Sequence, residues 1–194
     1  MKNSFFALIS RMRYISRWGL MRNSSPENVQ EHSHMVSVIA HALAVIRRDV
    51  FGQEIDPNLV AAAALYHDAS EIFTGDLPSP IKYLNPDILL AYKQVEQIAM
   101  DKLLALLPAE VQEAYKPLLT DLDKDVEALI KAADRLSAYI KCLEEIRAGN
   151  DEFKAAEKVI SASIEDSPLP ETRYFIEHFI PAFTLALDDL DLSV

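Results

Sequence analysis

Apolar residues return at every third or fourth position along most of this 194-residue chain. That spacing winds one face of an α-helix and cannot line one face of a strand, where side chains alternate. It constrains the fold more than any other feature, because no stretch of useful length shows apolar–polar alternation. Helices are expected over 5–15, 28–48, 58–73, 88–107, 124–147, 151–164 and 171–190. The separators carry stop signals: "SSPEN", "FGQEIDPN", "TGDLPSP", "LNPD", "AGN" and "SPLPE". Pro57 and Pro86 stand near helix starts, where a missing N–H costs little. Gly52 and Gly149 stand where helices should end. The expectation is all-α, a single-domain helical bundle over residues 1–194. Half of the residues are hydrophobic, enough for one real core.

The formal net charge is −11, whereas a duplex partner demands a basic face, so a nucleic acid polymer is not expected. The charge is unevenly spread. Lys2, Arg11, Arg13, Arg17 and Arg22 all precede the first acid, Glu27. A local positive patch on an acidic protein suits a small anion. Cys142 is the only cysteine, which excludes an internal disulfide and a multi-cysteine zinc site. No apolar run approaches the roughly 18 residues that span a bilayer, so no membrane partner is expected. "FFALI" is too short for a secretory core, and its positive charges follow rather than precede it. The acid-free first segment mimics a mitochondrial transit peptide, but Arg17 within it belongs to the site argued below. A cytoplasmic protein is the expectation.

Three apolar segments carry ionisable residues that need compensation if buried. In "NVQEHSHMVSVIAHALAVI", Val29, Val36, Ile39, Leu43 and Ile46 form an inward stripe, and His32 completes it. Residues two apart diverge by about 200° around a helix, so His34 and His41 lie elsewhere. In "AALYHDASEIFTGDLPSP", Val60, Ala63 and His67 share a stripe with Asp68 on its shoulder. Glu71 is expected one turn on from both, at i+4 from His67 and i+3 from Asp68, just before Gly75, Pro78 and Pro80. In "LIKAADRLSAYIKC", Asp134 sits among Ile130, Ala132, Ala133, Leu136 and Ser137. Each segment alone has a plain explanation: a satisfied core histidine, a solvated helix end, a surface pair with Arg135 or a lysine. Jointly His32, His67, Asp68 and Asp134 supply two nitrogens and two oxygens from three helices. That donor set suits Mn²⁺, Co²⁺, Fe²⁺, Ni²⁺ or Zn²⁺ better than Ca²⁺ and leaves positions open for water or substrate. The H-E-x-x-H helix of a protease, the P-C-x-x-C of a zinc deaminase and the G-x-x-x-x-G-K phosphate loop are all missing.

This pattern, His32, "HD" at 67–68 and Asp134, resembles the HD-domain phosphohydrolases. "SRWGLMRN", "NVQEHS", "YHDASEIFTGDLPSP" and "KAADRLSAYIKCLEE" bring the resemblance close to the bacterial 5′-deoxynucleotidases over essentially the whole chain. The resemblance implies that His32, His67, Asp68 and Asp134 ligate a divalent cation such as Co²⁺ or Mn²⁺. It implies that Glu71 is the acid/base, that Arg17 holds the phosphate, and that Trp18 packs near the sugar. Asp76, Leu77, Pro78 and Ser79 would line the nucleoside side, with His32, Asp68 and Asp134 also near substrate. Ser79 stands where a threonine is expected, retaining a hydroxyl and losing a methyl. The implied reaction is hydrolysis of deoxyribonucleoside 5′-monophosphates by a homodimer. Two other readings compete. One is an HD-type nucleotide phosphodiesterase or signalling-nucleotide hydrolase, and the other is a non-catalytic nucleotide-binding protein.

Overall fold

A computed structural model of the chain describes residues 3–82 and 84–190. In order it forms α1 (Phe5–Ile9), α2 (Val29–Asp49), α3 (Pro57–Ala64), α4 (Glu71–Thr74) and α5 (Ser79–Lys82). Then come α6 (Pro86–Ala105), α7 (Ala109–Leu119), α8 (Lys124–Arg147), α9 (Lys154–Glu165) and α10 (Pro170–His178). Among the described residues the fold is all-α, with one isolated bridge pairing Ser16 and Asn28. None of these helices is long and apolar enough to cross a membrane. Lys2 lies outside the described residues.

The stripe on α2 is the centre of the molecule. Val36, Ile39, Leu43 and Ile46 pack against Val60 and Ala63 of α3 and against Leu129, Ala133, Leu136 and Ile140 of α8. Small residues at Ala40, Ala44, Ala63, Ala64, Ala132 and Ala133 let these helices approach closely. A second cluster joins Phe5, Met12 and Val29 to Ala69 and to Leu103, Leu107 and Leu119. One buried ion pair crosses the bundle: Arg47 of α2 donates to Glu171 of α10 and lies 3.3 Å from Asp125 of α8.

The start of α2 is fixed twice over. Asn28 accepts from the Glu31 N–H at 3.0 Å, and the Glu31 carboxylate accepts from the Asn28 N–H at 3.2 Å, a reciprocal capping box. Residues 15–17 run antiparallel to 27–29: the Val29 N–H donates to Ile15 O at 2.9 Å and the Arg17 N–H to Glu27 O at 3.0 Å. Arg17 and Trp18 are thereby delivered to the mouth of the bundle beside α2.

Several expected helices divide. The segment 58–73 is not continuous: α3 ends at Ala64, residues 65–70 form tight turns, and α4 restarts at Glu71. The Ala64 carbonyl, which a continuing helix would offer to the Asp68 N–H, instead accepts from His67, from its backbone N–H at 3.4 Å and from Nδ1 at 2.8 Å. The expected helix 5–15 becomes α1 and a 3₁₀ turn over Ser10–Tyr14. The expected helix 171–190 stops at His178, followed by 3₁₀ turns at Ile180–Thr184 and Leu187–Asp189. Pro181 cannot supply the N–H that a continuing helix needs. Helix α7 was not expected; Pro117 in its last turn breaks the pattern that would have marked it.

Candidate metal centre and phosphate side

The tight turns after α3 decide how the first ionisable groups meet. Winding at three residues per turn eclipses side chains at i and i+3, so Glu71 stands over Asp68 while His67 turns aside. A carbonyl can only accept, so the bond to Ala64 O fixes the His67 proton on Nδ1 and leaves Nε2 facing inward. Nε2 is buried and makes no hydrogen bond, although Asp68 Oδ2 is only 3.1 Å away, out of line for one. From α2, His32 enters fully buried, and its Nε2 lies 3.6 Å from the same Asp68 Oδ2. Donor atoms of His32, His67 and Asp68 all lie within 4.8 Å of one another. Asp134 of α8 joins through His32, its Oδ1 accepting from Nε2 at 3.0 Å. Ser137, one turn further along α8, faces the other His32 nitrogen at 3.3 Å and steadies the ring.

Two imidazoles and the Asp68 carboxylate, one nitrogen buried with no hydrogen-bond partner, fit a divalent cation of the borderline class, while Asp134 stands behind His32 outside that close group. In the absence of a cation the group is held together by protons. Burial opposes charge on His67, but the adjacent Asp68 carboxylate outweighs it and pushes the imidazole up to about 9. Burial likewise works against ionised Asp68, and the charges of His67, His32 and Arg17 overcome it, holding the carboxyl well below the usual range. Asp134 is also lowered: its hydrogen bond from His32 overcomes burial. A cation between these groups would replace protons with positive charge of its own.

Glu71 behaves in the opposite way. It is buried, its Oε2 has no hydrogen-bond partner, and burial together with the nearby Asp68 and Asp76 carboxylates pushes it up to about 9. Such a carboxyl holds a proton at neutral pH and sits beside the cluster that would hold the cation. Asp76 is raised too, first by burial, with Arg17 opposing and Asp68 adding to the shift. Leu77 and Pro78 follow it in the half-buried linker between α4 and α5. The side chain of Ser79 lies outside the described residues.

On the other side of Asp68 stands Arg17, its Nη1 3.3 Å from Asp68 Oδ2. Its Nε is held 3.2 Å from Glu27 Oε2. The same oxygen accepts from Trp18 Nε1 at 3.0 Å. The Trp18 ring packs on the buried Phe153, with centroids 5.3 Å apart. The backbone at Trp18 is left-handed, φ +57°, a region that bulky side chains rarely occupy. The sequence assigns no role to Glu27, Phe153 or Ser137. Each acts on a neighbour across the fold, and no spacing along the chain signals such a contact.

The arrangement is a cluster fit to hold a cation, with a protonated carboxyl on one flank and a forked, permanently charged guanidinium on the other. It can therefore bind a phosphate ester, hold it against a cation and exchange a proton with it. The family model of YfbR-like 5′-deoxynucleotidases matches residues 4–183. A 5′-deoxynucleotidase of Photorhabdus laumondii is 48% identical over 192 residues, covering 98% of each chain. An HD-domain phosphohydrolase from Listeria innocua superimposes with a TM-score of 0.79 at 26% identity, over 93% of this chain and 88% of that one. A cyanophage S-2L HD phosphohydrolase, solved with dA and one catalytic Zn²⁺, shares the fold at a TM-score of 0.59 and 22% identity, over 90% of this chain and 95% of that one. With its His-His-Asp cluster in an all-helical frame and near-complete coverage by these relatives, the chain belongs to the YfbR-like 5′-deoxynucleotidase family of HD-domain phosphohydrolases.

Proposed function

We propose that this protein hydrolyses deoxyribonucleoside 5′-monophosphates to deoxynucleosides and inorganic phosphate with a divalent cation of the Co²⁺ or Mn²⁺ type. The observation that carries the reading is one carboxylate oxygen, Asp68 Oδ2, standing between two imidazoles and the Arg17 guanidinium. A structural metal site needs no guanidinium beside it, and a phosphate binder needs no buried, unpaired carboxyl such as Glu71.

In this reading His32, His67, Asp68 and Asp134 hold the cation. When bound, a divalent cation lowers the pKa of its water and draws charge from a phosphoryl oxygen. Arg17 meets the phosphate with its fork, fixing the ester for in-line displacement and stabilising the equatorial oxygens as charge spreads over them. Glu71 manages the proton. As water attacks phosphorus, an O–P bond forms and the P–O5′ bond breaks; one proton leaves the water and one arrives on the 5′-oxygen. Glu71, which holds a proton at neutral pH, gives it to the 5′-oxygen and, once ionised, takes one from the water. Trp18 is the wall against C2′: a ribose hydroxyl there meets an aromatic face and loses its hydrogen-bond partners. Asp76, Leu77, Pro78 and Ser79 line the nucleoside side.

Residues 1–194 act as a single HD-type domain, the protein works as a homodimer, and it resides in the cytoplasm. The closely matched chain lengths support the first reading and the family resemblance the second; sedimentation of the purified protein and cell fractionation test the last two. The activity is tested by stripping the protein, restoring Co²⁺, Mn²⁺ or Zn²⁺, and assaying phosphate release from 5′-, 3′-, ribo- and deoxyribonucleotides. Release from dAMP well above that from AMP or 3′-dAMP is expected. Turnover of cyclic or signalling nucleotides without phosphate release from dAMP, or micromolar nucleotide binding with no turnover, would overturn the proposal.

A further inference from the structure

We infer that Glu27 is a positioning residue: one carboxylate oxygen, Oε2, sets the Arg17 guanidinium and the Trp18 indole as a single unit. The inference rests on the phosphate and sugar roles proposed above for those two side chains. Three contacts tie the segment together. Oε2 lies 3.2 Å from Arg17 Nε and 3.0 Å from Trp18 Nε1, and the Glu27 carbonyl accepts from the Arg17 N–H at 3.0 Å.

Neither of the two held groups has a reason of its own to stay where it is. Arg17 has long rotamer-rich linkages, and the Asp68 carboxylate attracts it towards the cation cluster. Anchoring Nε leaves the Nη edge of the fork turned to the space beside Asp68, the edge a phosphate would meet. Trp18 sits at φ +57°, and a bulky residue stays in that region only where its surroundings over-determine it. The indole N–H bond to Glu27 and the buried Phe153 ring behind it, at 5.3 Å, supply that restraint. A further brace, the Met21 N–H on the Trp18 carbonyl at 2.8 Å, keeps the turn closed. Because one oxygen serves both donors, a change in either group's position is felt by the other. Phosphate grip and sugar wall are therefore expected to rise and fall together.

Trp18 is the only tryptophan, so the protein's indole emission reports this one ring. The test compares cation-loaded wild type, Glu27→Ala, Glu27→Gln and Glu152→Ala. The last removes a side chain that anchors the same loop, accepting from the Arg22 N–H at 2.8 Å. Glu27→Ala is expected to shift the emission, to raise KM for dAMP about tenfold or more with a smaller change in kcat, and to lower the dAMP-over-AMP preference by a similar factor. Glu27→Gln keeps an oxygen for the indole N–H but loses the charge facing Arg17. It should restore the emission and most of the sugar preference while KM stays raised. Glu152→Ala should match wild type in all three. Wild-type emission and sugar preference in Glu27→Ala would overturn the inference, as would equal losses in Glu152→Ala. If the alanine variant does not fold, an unchanged KM in Glu27→Gln overturns it. If wild type releases no phosphate from dAMP, the proposed activity fails separately, and the emission of Glu27→Ala still decides whether Glu27 holds Trp18.

Discussion

Asp68 Oδ2 faces His67 Nε2 at 3.1 Å, Arg17 Nη1 at 3.3 Å and His32 Nε2 at 3.6 Å, whereas Glu71 Oε2 is buried with no hydrogen-bond partner. Those environments separate their roles. Asp68→Ala deletes the oxygen that three positive or proton-bearing groups share, so bound cation and phosphate release should disappear together. Glu71→Gln leaves the cluster in place and removes the exchangeable proton. It should keep the cation, measured by metal analysis after gel filtration, and lower kcat by about 10²- to 10⁴-fold. A cation-loaded Glu71→Gln protein with the full wild-type rate would remove Glu71 from the chemistry. For Trp18→Ala the expected change is in discrimination: the dAMP-to-AMP ratio of kcat/KM falls further than dAMP turnover does. At this scale the sequence is informative where a polar residue interrupts an apolar stripe, as His32 does on α2. It is silent on Glu27, whose partners Arg17 and Trp18 are reached only because 15–17 pairs with 27–29.

Between elements, the segment that follows Arg17 and Trp18 is tied to the far end of α8 by Glu145. Its buried carboxylate accepts from the Ser24 N–H at 2.8 Å, the Ser25 N–H at 3.0 Å, Asn150 Nδ2 at 2.8 Å and Lys141. Lys141 also donates to the Ser25 carbonyl. Burial opposes the charge on Glu145, but these donors outweigh it and hold the carboxyl well below its ordinary range. Removing one partner of a buried ion pair strands the other, and Lys141 is itself buried. Glu145→Ala should therefore cost about 3–5 kcal/mol in urea unfolding, several times the cost of removing the exposed Lys131–Glu127 pair. A loss below 1 kcal/mol would mean that water replaces the carboxylate. The sign of its pH dependence follows from the depressed pKa: the stabilisation is present above the unfolded carboxyl range and is lost as pH falls. The long helices α2, α6 and α8 were legible because their stripes run for many turns between clear caps. The break after Ala64 was not, since it depends on the His67 side chain competing for a backbone acceptor. That same competition presents Nε2 to the cluster, so the least legible part of the fold makes the site.

For the whole molecule, the proton content of the cluster links stability to pH and to the cation. His67 is raised to about 9 from an unfolded value of 6.5, so its stabilisation is complete below pH 6.5 and fades as pH rises through 9. Glu71, raised to about 9 from 4.5, keeps a proton that the unfolded chain has released, and this also erodes stability as pH rises across that window. The lowered pKa values of Asp68 and Asp134 act at the other end, where stability falls as pH drops through the carboxylate range. Chelator-treated protein should therefore be most stable at mildly acidic pH and lose unfolding free energy from pH 5.5 to 8.5, by at most about 1.4 kcal/mol per pH unit for each proton, with Tm falling accordingly. A cation competes with the His67 proton at Nε2 and favours loss of the Glu71 proton, so its binding tightens as protons leave. At a fixed Mn²⁺ concentration, the Tm gap between cation-loaded and chelated protein should widen steadily over the same range. A ligand that binds only the folded state stabilises by RT ln(1 + [L]/Kd), so a tenfold tightening per pH unit adds about 1.4 kcal/mol. His67→Gln, which removes the titrating nitrogen, should flatten that widening. A gap that is constant with pH in the wild type would show that the cation and the proton do not share Nε2.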